Sequence, residues 1–474
     1  MELEPKENSD LLRPRNKTEA NGNLNHEEPN GPPDGGVRAY SVMVASFLTN
    51  GLFFGVINSY SVIYTVLEKH LKDEGVSNSE SRAALVGALT MGTTFFLSPL
   101  SGVLTGVLGI RLTAVLGGII ATAAMILSSF FVYNVSVLYF TYGVMYGLGA
   151  SFAYTPSLAI LGHYFQKRLG LVNGIVTVGS SIFTVIMPPL MEYMIKTHGL
   201  PWLFRLLSVF TLGTAICGFI FKPSPSIVLK TAREDDSLKS LLKSVVNVQI
   251  WKNKKYRMWA LSMPVALFGY FVPYVHIKKY IETNFVDVNT NLPLQCIAVT
   301  SGLGRLIFGF LADKPGIDRI LLQQISFYVI GTLTIILPFV NKFGFLVAIA
   351  LGMGLFDGAF IALIGPIAFE LVGGAYAAQA IGCMLGLAAA PLSVGPPVAG
   401  YLYSLNKSYT LPFVLAGISP LVGATLMFAI RLQRDPSNEE SINTNGVAHP
   451  ASVLVEKSPS PLLINGDANQ QTNL

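Results

Sequence analysis

Arg305 and Asp357 each stand in the middle of a long apolar run. Where such a run crosses lipid, an ionised side chain costs roughly 2.5 to 3.5 kcal/mol even on the lenient insertion scale, so its presence points to function. Arg305 offers five N–H donors in a fixed fork that suits bidentate capture of a carboxylate, and it keeps its charge at every physiological pH. Asp357 can pair with that guanidinium when no ligand is bound, then receive the ammonium of a zwitterion. The bland alternative is a permanent buried salt bridge between the two, touching no ligand. His276 follows Pro273 where Gly269 and Pro273 interrupt a helix and free backbone groups that can line a cavity. Its neutral imidazole either bonds a phenolic or amino group there or packs at the outer interface. Tyr270, Tyr274 and Phe360 lie close enough in sequence to these polar residues to stack on an aromatic cargo. No nucleophile–base–orienter set and no metal-ligand spacing can be assembled from the residues in the runs, so neither catalysis nor a cofactor is expected. Cys217, Cys296 and Cys383 all fall in apolar runs, where a thiol behaves as a small hydrophobe.

The elements that must position these residues follow from composition. Of 474 residues, 51% are hydrophobic and 12% are charged, about half the charged share of roughly 25% in soluble domains, which excludes a water-soluble globule. Crossing about 30 Å of hydrocarbon takes about 20 apolar residues, and twelve windows meet that length. They lie near 39–64, 83–105, 112–132, 137–160, 170–190, 202–221, 256–280, 293–312, 320–340, 343–366, 377–401 and 410–431. The chain thus reads as a polar, disordered N-terminal tail over 1–38, a six-helix bundle over 39–221 and a charged central loop over 222–255. A second six-helix bundle spans 256–431 and a disordered tail 432–474. An even number of spans places both tails in one compartment. Of the 32 Lys and Arg, 22 fall in the tails and the loops on the tail side, eight on the opposite side, and Arg205 and Arg305 within spans. That asymmetry predicts cytoplasmic tails. A net charge of +5 has the same origin, and with no basic groove in the sequence, nucleic-acid binding is set aside.

Spacing also reveals a repeat. Gly102 to Arg111 follows the second span and Gly309 to Gly316 follows the eighth, offset by 207; Gly174 with Pro188-Pro189 recurs as Gly382 with Pro396-Pro397, offset by 208. Two motifs sharing nearly one offset indicate homologous six-helix halves, the parallel repeat of a large transporter fold.

The G-x-x-x-D-x-x-G loop at Gly309 to Gly316 resembles that of the major facilitator superfamily; its first-half copy carries Gly106 where the pattern has Asp. Asp34-Gly35-Gly36 resembles the opening signature of the monocarboxylate transporter family, and His163 to Gly174 resembles its second signature more completely. Segments 268–276, 300–305 and 354–358 look most like the branch that carries aromatic amino acids and iodothyronines. The resemblance implies an all-α membrane protein of twelve transmembrane helices in two six-helix bundles, the major facilitator fold. It also implies that Asp313, Arg319 and Arg111 clamp helix ends on the cytoplasmic side. Glu370, which closes the tenth span on that side, is a candidate gate contact. The positions that support proton coupling in lactate carriers are here Asn58 and Ser301, neither of which titrates near neutral pH. The expected activity is proton-independent facilitated diffusion of aromatic amino acids or related aromatic carboxylates across the plasma membrane, possible partners being the lipid and a single-span ancillary glycoprotein. A proton-coupled monocarboxylate symporter and a non-transporting sensor on the same scaffold are the alternatives.

Overall fold

The computed structural model of the protein describes residues 34–76, 79–222 and 248–431. Residues 1–33 of the N-terminal tail, the C-terminal tail and most of the central loop read above fall outside the described residues. Within them every regular element is helical. Eleven helices are long and apolar enough to cross a membrane as they stand, and a pair bent by 44° makes a twelfth. In chain order these spans are α1 (Val37–Asp73), α2 (Arg82–Phe96 with Ser98–Leu108), α3 (Ile110–Phe130), α4 (Val135–His163), α5 (Leu169–His198), α6 (Leu200–Ile220), α7 (Lys254–Asn284), α8 (Leu292–Leu311), α9 (Arg319–Phe339), α10 (Phe343–Val372), α11 (Ala377–Tyr403) and α12 (Thr410–Ile430).

Each departure from the expected windows has a local cause. The α2 bend falls at Leu97, where Pro99 sits in the first turn of the second segment; a proline there lacks the N–H that a continuous helix would use. α1 is longer than its window because Tyr60–Asp73 continues past a break at Ser59. The same happens in α7, where Phe271 separates Lys254–Tyr270 from Val272–Asn284 and Pro273 opens the second segment. α4 contains a π-helical stretch over Tyr139–Tyr146. Caps mark the helix starts: Asp318 Oδ1 accepts from Ile320 N at 2.8 Å and Leu321 N at 3.1 Å, and Asn253 Oδ1 accepts from Tyr256 N at 3.1 Å. Each takes up donors that the first turn leaves orphaned.

The first six spans pack mainly on one another, α3 against α4 and α6 and α1 against α5; among the last six, α8 packs on α10, α9 on α10 and α12, and α7 on α11 and α12. The first six spans touch the last six where α5 meets α10 and, most extensively, in two crossings, α5 with α8 and α2 with α11. Small residues make both possible, as lipid-embedded helices require when no aqueous hydrophobic effect presses them together. A Cβ on Gly102 would meet the Ala378 carbonyl at 2.8 Å, and one on Gly309 would meet the Gly170 carbonyl at 2.6 Å. Both contacts lie at the span ends on the side where Asp34 bonds the turn before α5, here the tail side. Cys217 and Cys383 are buried and Cys296 is half-buried.

Candidate functional site

Between the first and last six spans lies a cavity of about 230 Å³, far larger than the about 15 Å³ that a single water needs. Its wall comes from α1 (Asn50, Phe54, Asn58), α2 (Met91, Phe95), α4 (Tyr154), α5 (Thr177, Ser180), α7 (Leu267, Tyr270, Phe271, Tyr274), α8 (Arg305), α10 (Asp357, Phe360, Ile361, Ile364) and α11 (Met384, Leu385, Ala388, Leu392). Apolar side chains predominate, with a few polar groups converging, which is the usual make-up of a small-molecule site.

Arg305 is 7% exposed. Its Nη1 donates to the Thr177 carbonyl and the Ser180 hydroxyl on α5, across the boundary between the first and last six spans. Its Nε is buried with no partner. Asp357, 6% exposed, accepts from the Tyr270 and Ser301 hydroxyls. Among the described residues no ion pair joins Arg305 to Asp357, so the pairing expected from sequence, permanent or ligand-dependent, is corrected. The cause is the close approach of α8 and α10. Gly304 packs against the Leu355 carbonyl, and Gly358 packs against the Ser301 carbonyl and Arg305 N. At that separation the short Ser301 side chain faces Asp357, and the longer Arg305 side chain reaches α5.

The rings form two groups on the cavity wall. On one side Phe54 meets Tyr154 edge-on at 4.9 Å and Phe95 at 6.1 Å. On the other, Tyr270 lies 5.4 Å from both Tyr274 and Phe360, and Tyr274 stacks on Phe271 at 5.8 Å. The Tyr274 hydroxyl is buried without a partner, as is Asn50 Oδ1. A buried polar atom left unpaired costs about 1–3 kcal/mol, and here three such atoms belong to residues that line one cavity.

Of the residues singled out from sequence, Arg305, Asp357, Asn58, Tyr270, Tyr274 and Phe360 line this cavity, and Ser301 supports it through Asp357. Asn58 Nδ2 donates to Thr184 Oγ1 on α5 at 3.0 Å. His276 does not line it: its Nε2 bonds the Pro396 carbonyl on α11 at 2.9 Å, and its ring lies 5.7 Å from that of Tyr409. Pro396 and Pro397 sit inside α11, and Pro396 supplies the carbonyl that receives the imidazole. Asn50, Phe54, Phe95, Tyr154, Thr177 and Ser180 were not named as site residues. Asn50 carried the clearest signal, an amide in mid-span.

The tail-side residues form a second constellation. Asp313 accepts from Gly170 N and Leu171 N, both at 2.7 Å, at the start of α5. Arg319 lies 3.7 Å from Asp313 and 3.4 Å from Glu370, and donates from Nε to the Ala312 carbonyl at 3.1 Å. Asp34 Oδ1 accepts from Gln166 N at 2.7 Å and Lys167 N at 2.8 Å, tying the start of α1 to the turn before α5. Arg111, in the first turn of α3, has its guanidinium 5.5 Å above the Phe219 ring in the last turn of α6, a cation–π contact between two helix ends.

Comparison with known proteins agrees with this architecture. The sequence pattern of the Major Facilitator Superfamily matches residues 42–341 and 296–464. Monocarboxylate transporter 10 of Rattus norvegicus is 43% identical over 472 residues, covering 96% of this chain and 91% of that protein. Its namesake in Danio rerio is 42% identical over 434 residues, covering 91% and 85% respectively. The crystal structure of the human organic anion transporter MFSD10 (TETRAN) superposes with a TM-score of 0.66 at 14% identity, over 82% of this chain and 99% of that one.

Proposed function

Because this chain belongs to the monocarboxylate transporter family of the major facilitator superfamily, we propose that it is a carrier for aromatic amino acids or related ring-bearing carboxylates, iodothyronines included. It works by alternating access and independently of protons. The observation that carries this reading is a buried guanidinium with a free Nε and an unpaired Tyr274 hydroxyl in a cavity walled by aromatic rings. Arg305 takes the carboxylate, Tyr274 adds a neutral donor, and the rings of Tyr154, Tyr270 and Phe360 pack the side chain of the cargo. Asp357, fixed by Tyr270 and Ser301, balances the guanidinium and draws the positive end of a zwitterion inward. With both tails in the cytoplasm of a plasma-membrane protein, the contacts of Gly170, Leu171 and Asp313 close the cytoplasmic exit. A single-span ancillary glycoprotein is compatible with this placement.

The competing reading is proton-coupled symport of a small monocarboxylate. It draws on Asp357, the titratable carboxyl among the cavity-lining residues, and on the names of the relatives. Counterflow of labelled phenylalanine in liposomes separates the two: exchange that is flat between about pH 6 and 8 supports the uniporter, and lactate accumulation driven by a proton gradient overturns it. Arg305→Ala is expected to lower exchange at least about fiftyfold, and Arg305→Lys nearly as much, because an ammonium cannot reproduce the planar fork. Undiminished exchange by either variant defeats the proposed role of Arg305.

A further inference from the structure

The cavity wall holds a polar group that the reading above does not use. Asn50 of α1 is 2% exposed, lines the cavity, and its Oδ1 has no hydrogen-bond partner. Asn173 of α5 donates to the Ala362 carbonyl at 2.7 Å while its own Oδ1 is likewise buried without a partner; what sets Asn50 apart is that it lines the cavity and Asn173 does not. Thr49 beside Asn50 bonds back to Ala45 at 2.8 Å.

Asn50 also stands at the depth of the guanidinium. A Cβ on its neighbour Gly51 would lie 3.2 Å from the Gly179 carbonyl of α5, and the next α5 residue, Ser180, accepts from Arg305 Nη1. Asp357 stands near that level too, because Gly302 of α8 packs on Ser181 of α5 and Ser301 beside it bonds Asp357. Both Asp357 oxygens, however, already accept from hydroxyls of the protein, whereas the Asn50 oxygen accepts from none. In an α-amino acid the carboxylate and ammonium flank a single carbon, so a cargo held by Arg305 presents its N–H donors at that same depth.

We propose that the Asn50 side-chain carbonyl accepts a hydrogen bond from the α-ammonium of the cargo while Arg305 holds its carboxylate, making Asn50 the residue that selects α-amino acids over ring-bearing acids without the amine. This rests on the carboxylate site assigned above. It narrows the substrate class to molecules carrying both groups, because a plain carboxylate leaves the acceptor unpaired, and discrimination of this polar kind exceeds what apolar contacts alone supply.

The test measures the affinity of purified full-length protein for L-phenylalanine and for 3-phenylpropionate, which differ by the amine. The wild type is expected to favour phenylalanine at least about tenfold. In Asn50→Ala the ratio is expected to fall about tenfold, towards parity. In Asn50→Asp, which keeps the shape and adds charge to the acceptor, it is expected to rise. The aspartate variant decides the question by itself should the alanine variant not fold. Ratios unchanged in a folded variant, with both affinities lost together or both retained, overturn the assignment and leave Asn50 a packing residue. The parent reading fails separately, by Arg305→Ala binding both ligands as well as the wild type does.

Discussion

The two most extensive crossings between the first six spans and the last six are related by the internal repeat, yet only one of them carries an acid at the matching position. In the α5–α8 crossing, Gly309 lies against the Gly170 carbonyl, Asp313 accepts from two main-chain N–H groups of α5, and Arg305 donates to Thr177 and Ser180. In the α2–α11 crossing, Gly102 lies against the Ala378 carbonyl and Gly382 against that of Ser98. The acid is missing: Gly106 holds the place of Asp313, opposite the side chain of Gln379. Backbone proximity is therefore the shared part of the design, while charge distinguishes one half of the repeat from the other. A carboxylate at the start of a helix also meets the favourable end of the helix dipole and orphaned N–H groups, as Asp313 does at the start of α5.

Breaking the shared part should have the largest effect. Gly102→Val and Gly309→Val both drive a branched side chain into main chain, where neither partner can yield. Each is expected to reduce phenylalanine exchange more than about tenfold; a much milder loss at one site would show that the crossings are unequal in packing as well. Next comes Asp313→Asn, which keeps the volume and removes the charge from two hydrogen bonds of the kind worth about 1.5–3 kcal/mol each. Exchange is expected to fall roughly three- to tenfold, with faster labelling of a Leu311→Cys reporter by an impermeant thiol reagent applied from the tail side. The smallest effect, and the one that sharpens the comparison, belongs to Gly106→Asp. A Cβ there meets only the end of the Gln379 side chain, at 3.0 Å. The new acid can therefore reach the first turn of α11, and exchange is expected to slow about two- to threefold with reduced labelling of the same reporter. Faster labelling would mean that the missing acid is not what separates the two crossings.

Much of this was legible in the amino-acid sequence because lipid imposes length and polarity together. Twelve apolar windows became twelve spans, and the matching offsets of Gly102 with Gly309 and of Gly174 with Gly382 gave the internal repeat. The charges of Arg305 and Asp357 stood out for the same reason. What they bond to did not, because that depends on which face of α8 meets α10 and which meets α5, a matter of glycine placement at Gly304 and Gly358 in three dimensions. Thr177 and Ser180 gave no warning, since serine and threonine sit comfortably in apolar helices by bonding to their own preceding turns, as Thr177 does to Asn173. Hydropathy does not register the packing that puts His276 on the Pro396 carbonyl, away from the cavity. Phe54 and Tyr154 needed a view of α1 and α4 side by side.

The guanidinium of Arg305 has two employers. One Nη is engaged by the α5 backbone and hydroxyl across the seam, while its Nε awaits a guest. On the function proposed here, an arriving carboxylate competes with that engagement or reshapes it, so occupancy and the tightness of the seam draw on a single group. A cargo can shift the carrier between its two faces only by as much as it favours one over the other. Sharing the group between fastening and grip builds that preference into the docking step itself, which would let an uncharged-path carrier turn over without a second ion to trigger it.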